Sequence, residues 1–149
     1  LHLAAAYNIL ASDGVYRQPT LFEGHTSQSA GVFRPQVARD IRKALTEGIA
    51  PSAQLSGYVL GGKTGTAQVV VNGRYSSSVY AAWFAGFIPA HTPRVTVVVT
   101  LFHPKGGRIH GSLVAAPIYR EIAARLFALW GIPPQLEISS DIGDLIGQG

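Results

Sequence analysis

The apolar positions of the chain change period twice, and the changes separate helical from extended parts. Residues 1–11, Leu-His-Leu-Ala-Ala-Ala-Tyr-Asn-Ile-Leu-Ala, read as a short buried helix. Asp13-Gly14 ends it, with glycine supplying a left-handed cap. Residues 15–22 form an extended segment containing Pro19, and the polar stretch 24–31 reads as a loop. Pro35 suits a first helical turn. Val37, Ile41 and Leu45 then fall at i, i+4 and i+8, one stripe of a helix. That places Arg39, Asp40, Arg42 and Lys43 on its wet sides, and Gly48 stops it.

From residue 57 the pattern becomes extended. Residues 57–71 are rich in Gly, Thr and Val, and Asn72-Gly73 is a hairpin signal. Residues 80–88 are an aromatic strand closed by Pro89. Residues 94–102 are a β-branched run closed by Pro104. Together they predict a three-stranded antiparallel meander, hence an α+β fold. Residues 104–111 form a Gly-rich basic loop. A long helix follows over 112–130, with Ile118, Ile122, Leu126 and Leu129 as its apolar face and Glu121–Arg125 as a surface pair. Pro117 lies within its first turns. The expected division is a body over 1–130 and an acidic tail or linker over 131–149.

Composition narrows the classes. The 149 residues are 47% hydrophobic and 13% charged, too apolar for disorder. The absence of Cys removes disulfides, Cys–zinc sites and thiol chemistry. The absence of Met leads us to expect an N-terminus made by cleavage or design. Residues 1–130 hold 12 basic and 5 acidic side chains, a net +7. The cations are dispersed without a Lys/Arg run, so nucleic acid is not the expected partner. No stretch approaches the roughly 20 apolar residues of a membrane span.

Gly57-x-x-x-x-Gly62-Lys63-Thr64 matches a phosphate-binding loop letter by letter. That loop needs a strand before it and a helix N-terminus after its Lys. Here apolar Tyr58-Val59-Leu60 lies inside the supposed loop, and Val69-Val70-Val71 follows the Lys. The order is wrong for nucleotide binding.

Lys63-Thr64-Gly65-Thr66 carries the candidate chemistry. On a strand facing a cleft, the ammonium gives a point charge for an anionic group, and the two hydroxyls can donate to a carboxylate. Gly65 leaves the backbone open to a ligand, and a backbone N–H just beyond can face a developing oxyanion. The same four residues also suit an ordinary glycine-containing strand with a surface lysine.

At this point the chain resembles class B penicillin-binding proteins. Lys-Thr-Gly is the third motif of penicillin-binding proteins and serine β-lactamases. Gly62-Lys63-Thr64-Gly65-Thr66-Ala67-Gln68 is similar to the family's whole third-motif block. Leu3-Ala4-Ala5-Ala6-Tyr7, Gly14-Val15 and Pro19-Thr20 resemble its upstream helix and extended segment. Glu47-Gly48-Ile49-Ala50 resembles its helix end, with Ile49 replacing a Thr. Ala82 to Pro89 is similar to the following strand, and Ala115-Ala116-Pro117-Ile118-Tyr119 to the start of the C-terminal helix. The resemblance covers residues 1–130.

The family's first motif, Ser-x-x-Lys, and second motif, Ser-x-Asn, have no match here. Ser139-x-Asp141 comes close to the second but follows the third motif. The resemblance therefore implies that both precede residue 1, with the N-terminal remainder of the protein as a required partner. It implies a five-stranded antiparallel sheet flanked by helices, of which the meander is the third to fifth strands. It implies a peptidoglycan D,D-transpeptidase acting through a serine acyl-enzyme on D-Ala-D-Ala stem peptides, and binding of β-lactams. Lys63 would face the second-motif Ser. Thr64 and Thr66 would hold the terminal carboxylate beside Gly65, and the Thr66 N–H would be one oxyanion donor. Gln68 and a loop over 72–78 would border the cleft. No cofactor and no metal is implied. A membrane glycan polymerase of the shape, elongation, division and sporulation type is an implied partner. The implied location is the extracytoplasmic face of the cytoplasmic membrane, anchored by a helix outside this chain.

Two other functions fit the same motif: a serine β-lactamase or β-lactam sensor, and a degenerate binding domain without a nucleophile. His2, His25 and His91 lack ligand spacing. His103 and His110 flank the loop Lys105-Gly106-Gly107-Arg108, which reads as a solvated loop or as an anion or partner site. Trp83 and Phe87 read as core, and Arg120 and Arg125 as a wet helix face.

Overall fold

The computed structural model describes residues 1–24 and 28–135. Helix α1 (His2–Ala11) ends where Asp13 and Gly14 both take positive φ, as the Asp-Gly pair predicts. It is not the buried helix expected, for none of its residues is fully covered. Strand β1 (Val15–Arg17) pairs antiparallel with β2 (Ser29–Gly31). The loop expected over 24–31 thus ends in a strand, because an edge strand this short needs only backbone partners; His25 lies outside the described residues.

Helix α2 (Pro35–Glu47) starts on its proline. Its stripe is partly covered as expected, with Ala38 its one fully buried residue. Arg42, expected on the wet side, is only 12% exposed. It donates to the Leu10 carbonyl at 2.6 Å and pairs with Asp13 at 2.8 Å, so it clamps the end of α1 to α2. The long aliphatic stem lets an arginine do this while its head stays satisfied.

The meander forms as predicted, in the order β3 (Gly61–Val71), β4 (Arg74–Ile88), β5 (Val95–Phe102). Asn72 and Gly73, both at positive φ, make the two-residue turn. The expected loop over 72–78 is reduced to that turn, because Arg74 already pairs with Val71 and Tyr75 with Val70. What sequence read as loop is a bulge: the register steps from Gln68↔Tyr80 to Val70↔Tyr75. Ser76 Oγ holds the extra residues by accepting the Ser78 and Val79 N–H groups at 3.2 and 3.0 Å.

Helices cover both faces of the sheet. Phe84 stacks on Tyr119, its ring centroid 4.4 Å away, so one face meets the C-terminal helix. Phe87 points to the opposite face, where Gly61 lies against both its ring and Thr46 of α2. The last helical region is split into α3 (Gly111–Val114) and α4 (Ala116–Leu129). Pro117 has no N–H to continue the earlier turn, which accounts for the break.

The face of α4 that is buried differs from the one expected. Ala116, Tyr119, Ala123 and Phe127 are inside, while Ile118 and Leu129 are 42% and 79% exposed. Close approach to the sheet favours alanines at the contact, and the aromatic rings fill the space between them. Phe127 stacks on Tyr58 at 4.1 Å. Ile49, Ala53, Leu60, Phe84 and Ile88 complete the core.

Residues 131–135 are not a tail. The Gln135 N–H donates to the Gly57 carbonyl at 2.7 Å, and the Tyr58 hydroxyl donates to the Ile132 carbonyl at 3.1 Å. The rest of the expected tail, including Ser139 and Asp141, lies outside the described residues. Among the described residues no helix is long and apolar enough to cross a membrane.

Candidate functional site

β3 starts on crowded backbone. A Cβ on Gly61 would run into the Phe87 ring, and one on Gly62 into the Phe84 ring. The two glycines before Lys63 therefore answer to aromatic rings on opposite faces of the sheet, and not to a phosphate. Lys63 is the third residue of a strand and pairs with Ala85. No helix N-terminus follows it, so the phosphate-loop pattern is a coincidence of packing requirements.

Beyond Gly62 the strand opens to solvent. Alternation puts Lys63, Gly65 and Ala67 on one face and Thr64, Thr66 and Gln68 on the other. Lys63 nevertheless reaches its neighbour: Nζ donates to Thr64 Oγ1 and to the Thr64 carbonyl, each at 3.3 Å. The long lysine stem bends around the strand to do so. Among the described residues β3 pairs only with β4, so its other side is a free edge. An ammonium and a hydroxyl thus meet on exposed backbone.

Thr66 is positioned from the other end of the chain. Its Oγ1 accepts the Gly111 N–H at 3.1 Å, 45 residues away in sequence. With its oxygen so engaged, the hydroxyl hydrogen can be donated outward. Gly111 must be glycine for this contact, since a Cβ there would come within 2.7 Å of the Gly65 carbonyl and also meet the Trp83 carbonyl. Thr64, Thr66 and Gln68 therefore form a row on one face, with Thr66 fixed by the start of α3. Gln68 is exposed and opposes Tyr80.

Gly65 has a different reason from the one sequence suggests. It opposes Trp83, and the indole occupies the space a Cβ would need. That face is closed by the protein's own ring, so a ligand can reach the Gly65 backbone only along the free edge. Trp83 is half-buried as a cover over β3, while Phe87 is fully buried core.

Tyr119 is the site's hidden support. It is fully buried, and its hydroxyl lies 3.0 Å from both the Gly61 and Phe87 carbonyls, donating its one hydrogen between them. Burial pushes its phenol well above the ordinary value. Sequence reasoning passed over Tyr119, Gly111 and the seating of Trp83. A usable signal was present in Gly86, which opposes Gly62 and has no room for a side chain beside the Tyr119 hydroxyl.

Ser52 and Ser76 are occupied by structural work. Ser52 Oγ donates to the Ser112 carbonyl at 2.6 Å, and Ser76 holds the bulge. A cavity of about 820 Å³ is lined by Leu55, Tyr58, Leu60 and Pro134, and one of about 440 Å³ by Arg39, Lys43 and His91. Lys63, Thr64 and Thr66 line neither. The arrangement can bind and polarise an anionic acyl group along an edge, and it carries no activated nucleophile among the described residues.

Known proteins share this fold and much of this sequence. Residues 1–124 match the model of the penicillin binding protein transpeptidase domain. The chain is 38% identical over 141 residues to a probable peptidoglycan D,D-transpeptidase PenA of Neisseria gonorrhoeae, covering 90% of this chain and 24% of that protein. It is 31% identical to the peptidoglycan D,D-transpeptidase FtsI of Escherichia coli, covering 100% of this chain and 26% of that one. It thus spans about a quarter of the length of these curated relatives. Among solved structures, the apo transpeptidase domain of penicillin-binding protein 3 from Burkholderia pseudomallei is similar at a TM-score of 0.75 and 31% identity, over 89% of this chain and 43% of that one. An ampicillin complex of penicillin-binding protein 3 from the tubercle mycobacterium gives 0.76 and 27%, over 91% and 36%. The motif block, the sheet with helices on both faces and the match over most of the length lead to one assignment: the chain belongs to the penicillin-binding-protein transpeptidase domain family.

Proposed function

We propose that the protein is a peptidoglycan D,D-transpeptidase and that this chain supplies the carboxylate and oxyanion side of its acyl-transfer site. The convergence of Lys63 Nζ on the Thr64 hydroxyl at the free edge of β3, with Thr66 fixed two residues on, is the observation that carries the reading. A donor peptide lying along that edge places its terminal carboxylate on the Thr64 and Thr66 hydroxyls. Lys63 supplies the positive charge and faces the second-motif serine. The scissile carbonyl then meets the Thr66 N–H, one oxyanion donor. Gly65 keeps the strand slim and Gln68 borders the cleft.

The nucleophile is a serine of a Ser-x-x-Lys motif upstream, on the N-terminal part of the protein. Its oxygen attacks the D-Ala-D-Ala carbonyl, the peptide bond breaks and terminal D-Ala leaves as the amine. The acyl-serine is then taken by the amine of a neighbouring stem peptide, which regenerates the hydroxyl. A β-lactam enters the same site and stays attached, in line with the ampicillin-bound structural neighbour. Such a substrate puts the domain at the extracytoplasmic face of the membrane, beside a glycan polymerase that makes the strands to be cross-linked.

Labelling the full-length protein with a fluorescent penicillin tests the reading. One adduct on an upstream Ser-x-x-Lys serine is expected, formed about 100-fold more slowly in Lys63→Ala. An unchanged rate in that variant removes Lys63 from the site, and fast release of the label makes the protein a hydrolase instead.

A further inference from the structure

We propose that the loop over residues 103–110 recognises a second carboxylate on the acyl-donor ligand, through Lys105 and Arg108, beyond the terminal carboxylate assigned to Thr64 and Thr66. The proposal rests on the acyl-transfer reading and adds a specificity element to it.

The first support is charge. Residues 48–120 contain no Asp or Glu, yet hold Lys63, Arg74, Arg94, Lys105, Arg108 and Arg120. Elsewhere the pattern is different: Arg39 and Arg42 pair with Asp13, Lys43 with Glu47 and Arg125 with Glu121. Among the described residues no ion pair involves a cation from 48–120. Arg94 is accounted for by Trp130, whose ring centroid is 5.3 Å from its guanidinium carbon. Lys105 and Arg108 are both exposed, so their charge faces solvent and whatever binds there.

The second support is placement. One end of the loop is tied to the sheet by the His103 N–H, which donates to the Tyr80 carbonyl at 2.8 Å; Tyr80 opposes Gln68. The other end is tied by the Gly111 N–H to Thr66 Oγ1. The loop therefore crosses from β4 to β3 at the Thr66–Gln68 end of the candidate site. Lys105 Nζ lies 3.2 Å from His103 Nδ1, which keeps that cation at the loop's first anchor. Arg108 stands three residues before the second anchor. Gly106 and Gly107, at φ of 75° and 74° with open space around them, turn the tip clear of the body. A ligand held by Thr64 and Thr66 and running on along β3 towards Gln68 comes beside this cationic rim.

Exposed cations of this kind discriminate modestly, by about 1.5- to 5-fold each, and salt screens them. The test compares acylation of the full-length protein by benzylpenicillin, which has one carboxylate, and by carbenicillin, which adds a second on its acyl side chain. In Lys105→Gln/Arg108→Gln the carbenicillin-to-benzylpenicillin rate ratio should fall about fivefold at low salt. The wild-type ratio should fall towards the variant's as salt rises. Arg120→Gln removes a charge from α4 and should keep the wild-type ratio. The benzylpenicillin rate in the double variant reports that the site is still folded. Equal ratios in wild type and double variant overturn the proposal and leave the acyl-transfer reading standing. An equal fall in Arg120→Gln also overturns it, because net charge would then explain the preference. Acylation by neither penicillin overturns the underlying reading, and the proposal with it.

Discussion

The two ends of β3 belong to one strand and behave oppositely. At its root, Gly61 and Gly62 are enclosed by Phe87 on one face and by Phe84 and Tyr119 on the other. At its tip, Val70, Val71 and the opposing Tyr75 of β4 are 57%, 46% and 75% exposed, although valine and tyrosine are ordinary residues of sheets. The difference lies in what backs the strand. Among the described residues β5 pairs with β4 only along residues 81–88, and the ribbon beyond Gln68 has two strands and no third. Lys63–Thr66 sits on the root side of that changeover, where residues 82–85 of β4 still pair with β5. Its backbone inherits the rigidity of the root while its free edge stays open, and an oxyanion donor needs both.

The strongest way to break this comparison is to remove the root. Phe84→Ala deletes the ring that fills the space over Gly62 and stacks on Tyr119, and should cost about 3–5 kcal/mol of stability. The midpoint of urea unfolding would show it. A loss below about 1 kcal/mol would mean that the root is not held by this packing. Lys63→Ala should do the reverse: a roughly 100-fold slower acylation, about 3 kcal/mol in the barrier, with an unchanged thermal midpoint. Lys63 is exposed and bonds only to its neighbour, so its stability share is small. If both variants lost stability and activity together, root and site would be one unit and the division between them would fail.

How far the sequence disclosed this depends on the range of the contact. The meander was legible because alternation, Asn72-Gly73 and the flanking prolines are local signals. Lys63-Thr64-Gly65-Thr66 was legible because its chemistry lies within four residues. The α4 face was misread because hydropathy favours Ile118 and Leu129, whereas the helix approaches the sheet on Ala116 and Ala123. Arg42 was misread because its partners, Asp13 and the Leu10 carbonyl, belong to a different helix end. The bond from Gly111 to Thr66 and the indole over Gly65 join distant segments, and no spacing rule encodes them.

A smaller effect sharpens the root. Tyr119→Phe keeps the ring and removes the hydroxyl, leaving the Gly61 and Phe87 carbonyls without their donor; the expected cost is about 1–3 kcal/mol. The pH dependence has a definite sign. Because burial raises the folded phenol's pKa above its unfolded value near 10, the folded state keeps the proton longer. The stabilisation is complete below about pH 10 and declines as pH rises through and beyond that value. In Tyr119→Phe the part of the alkaline decline due to this group should vanish, and an unaltered alkaline slope would deny Tyr119 that role.

The smallest expected effect is at the tip. Tyr75 opposes Val70 across the two-stranded ribbon, and such a pair is worth about 0.2–1 kcal/mol when a sheet face supports it. Here Tyr75 is three-quarters exposed, so Tyr75→Ser should change stability by less than about 0.5 kcal/mol. Acylation by benzylpenicillin should change less than twofold, because the Ser76 bulge and the Gln68 register stand between Tyr75 and Thr66. Urea unfolding and the labelling rate of the full-length protein measure the two quantities. A stability loss above about 2 kcal/mol would show that the rest of the protein packs on the ribbon, so that the tip is as enclosed as the root. A tenfold slower acylation at unchanged stability would instead extend the substrate cleft along β3 to the turn. Either result would move the boundary between enclosed root and open tip towards the turn, away from the end of the β4–β5 pairing at Ala81.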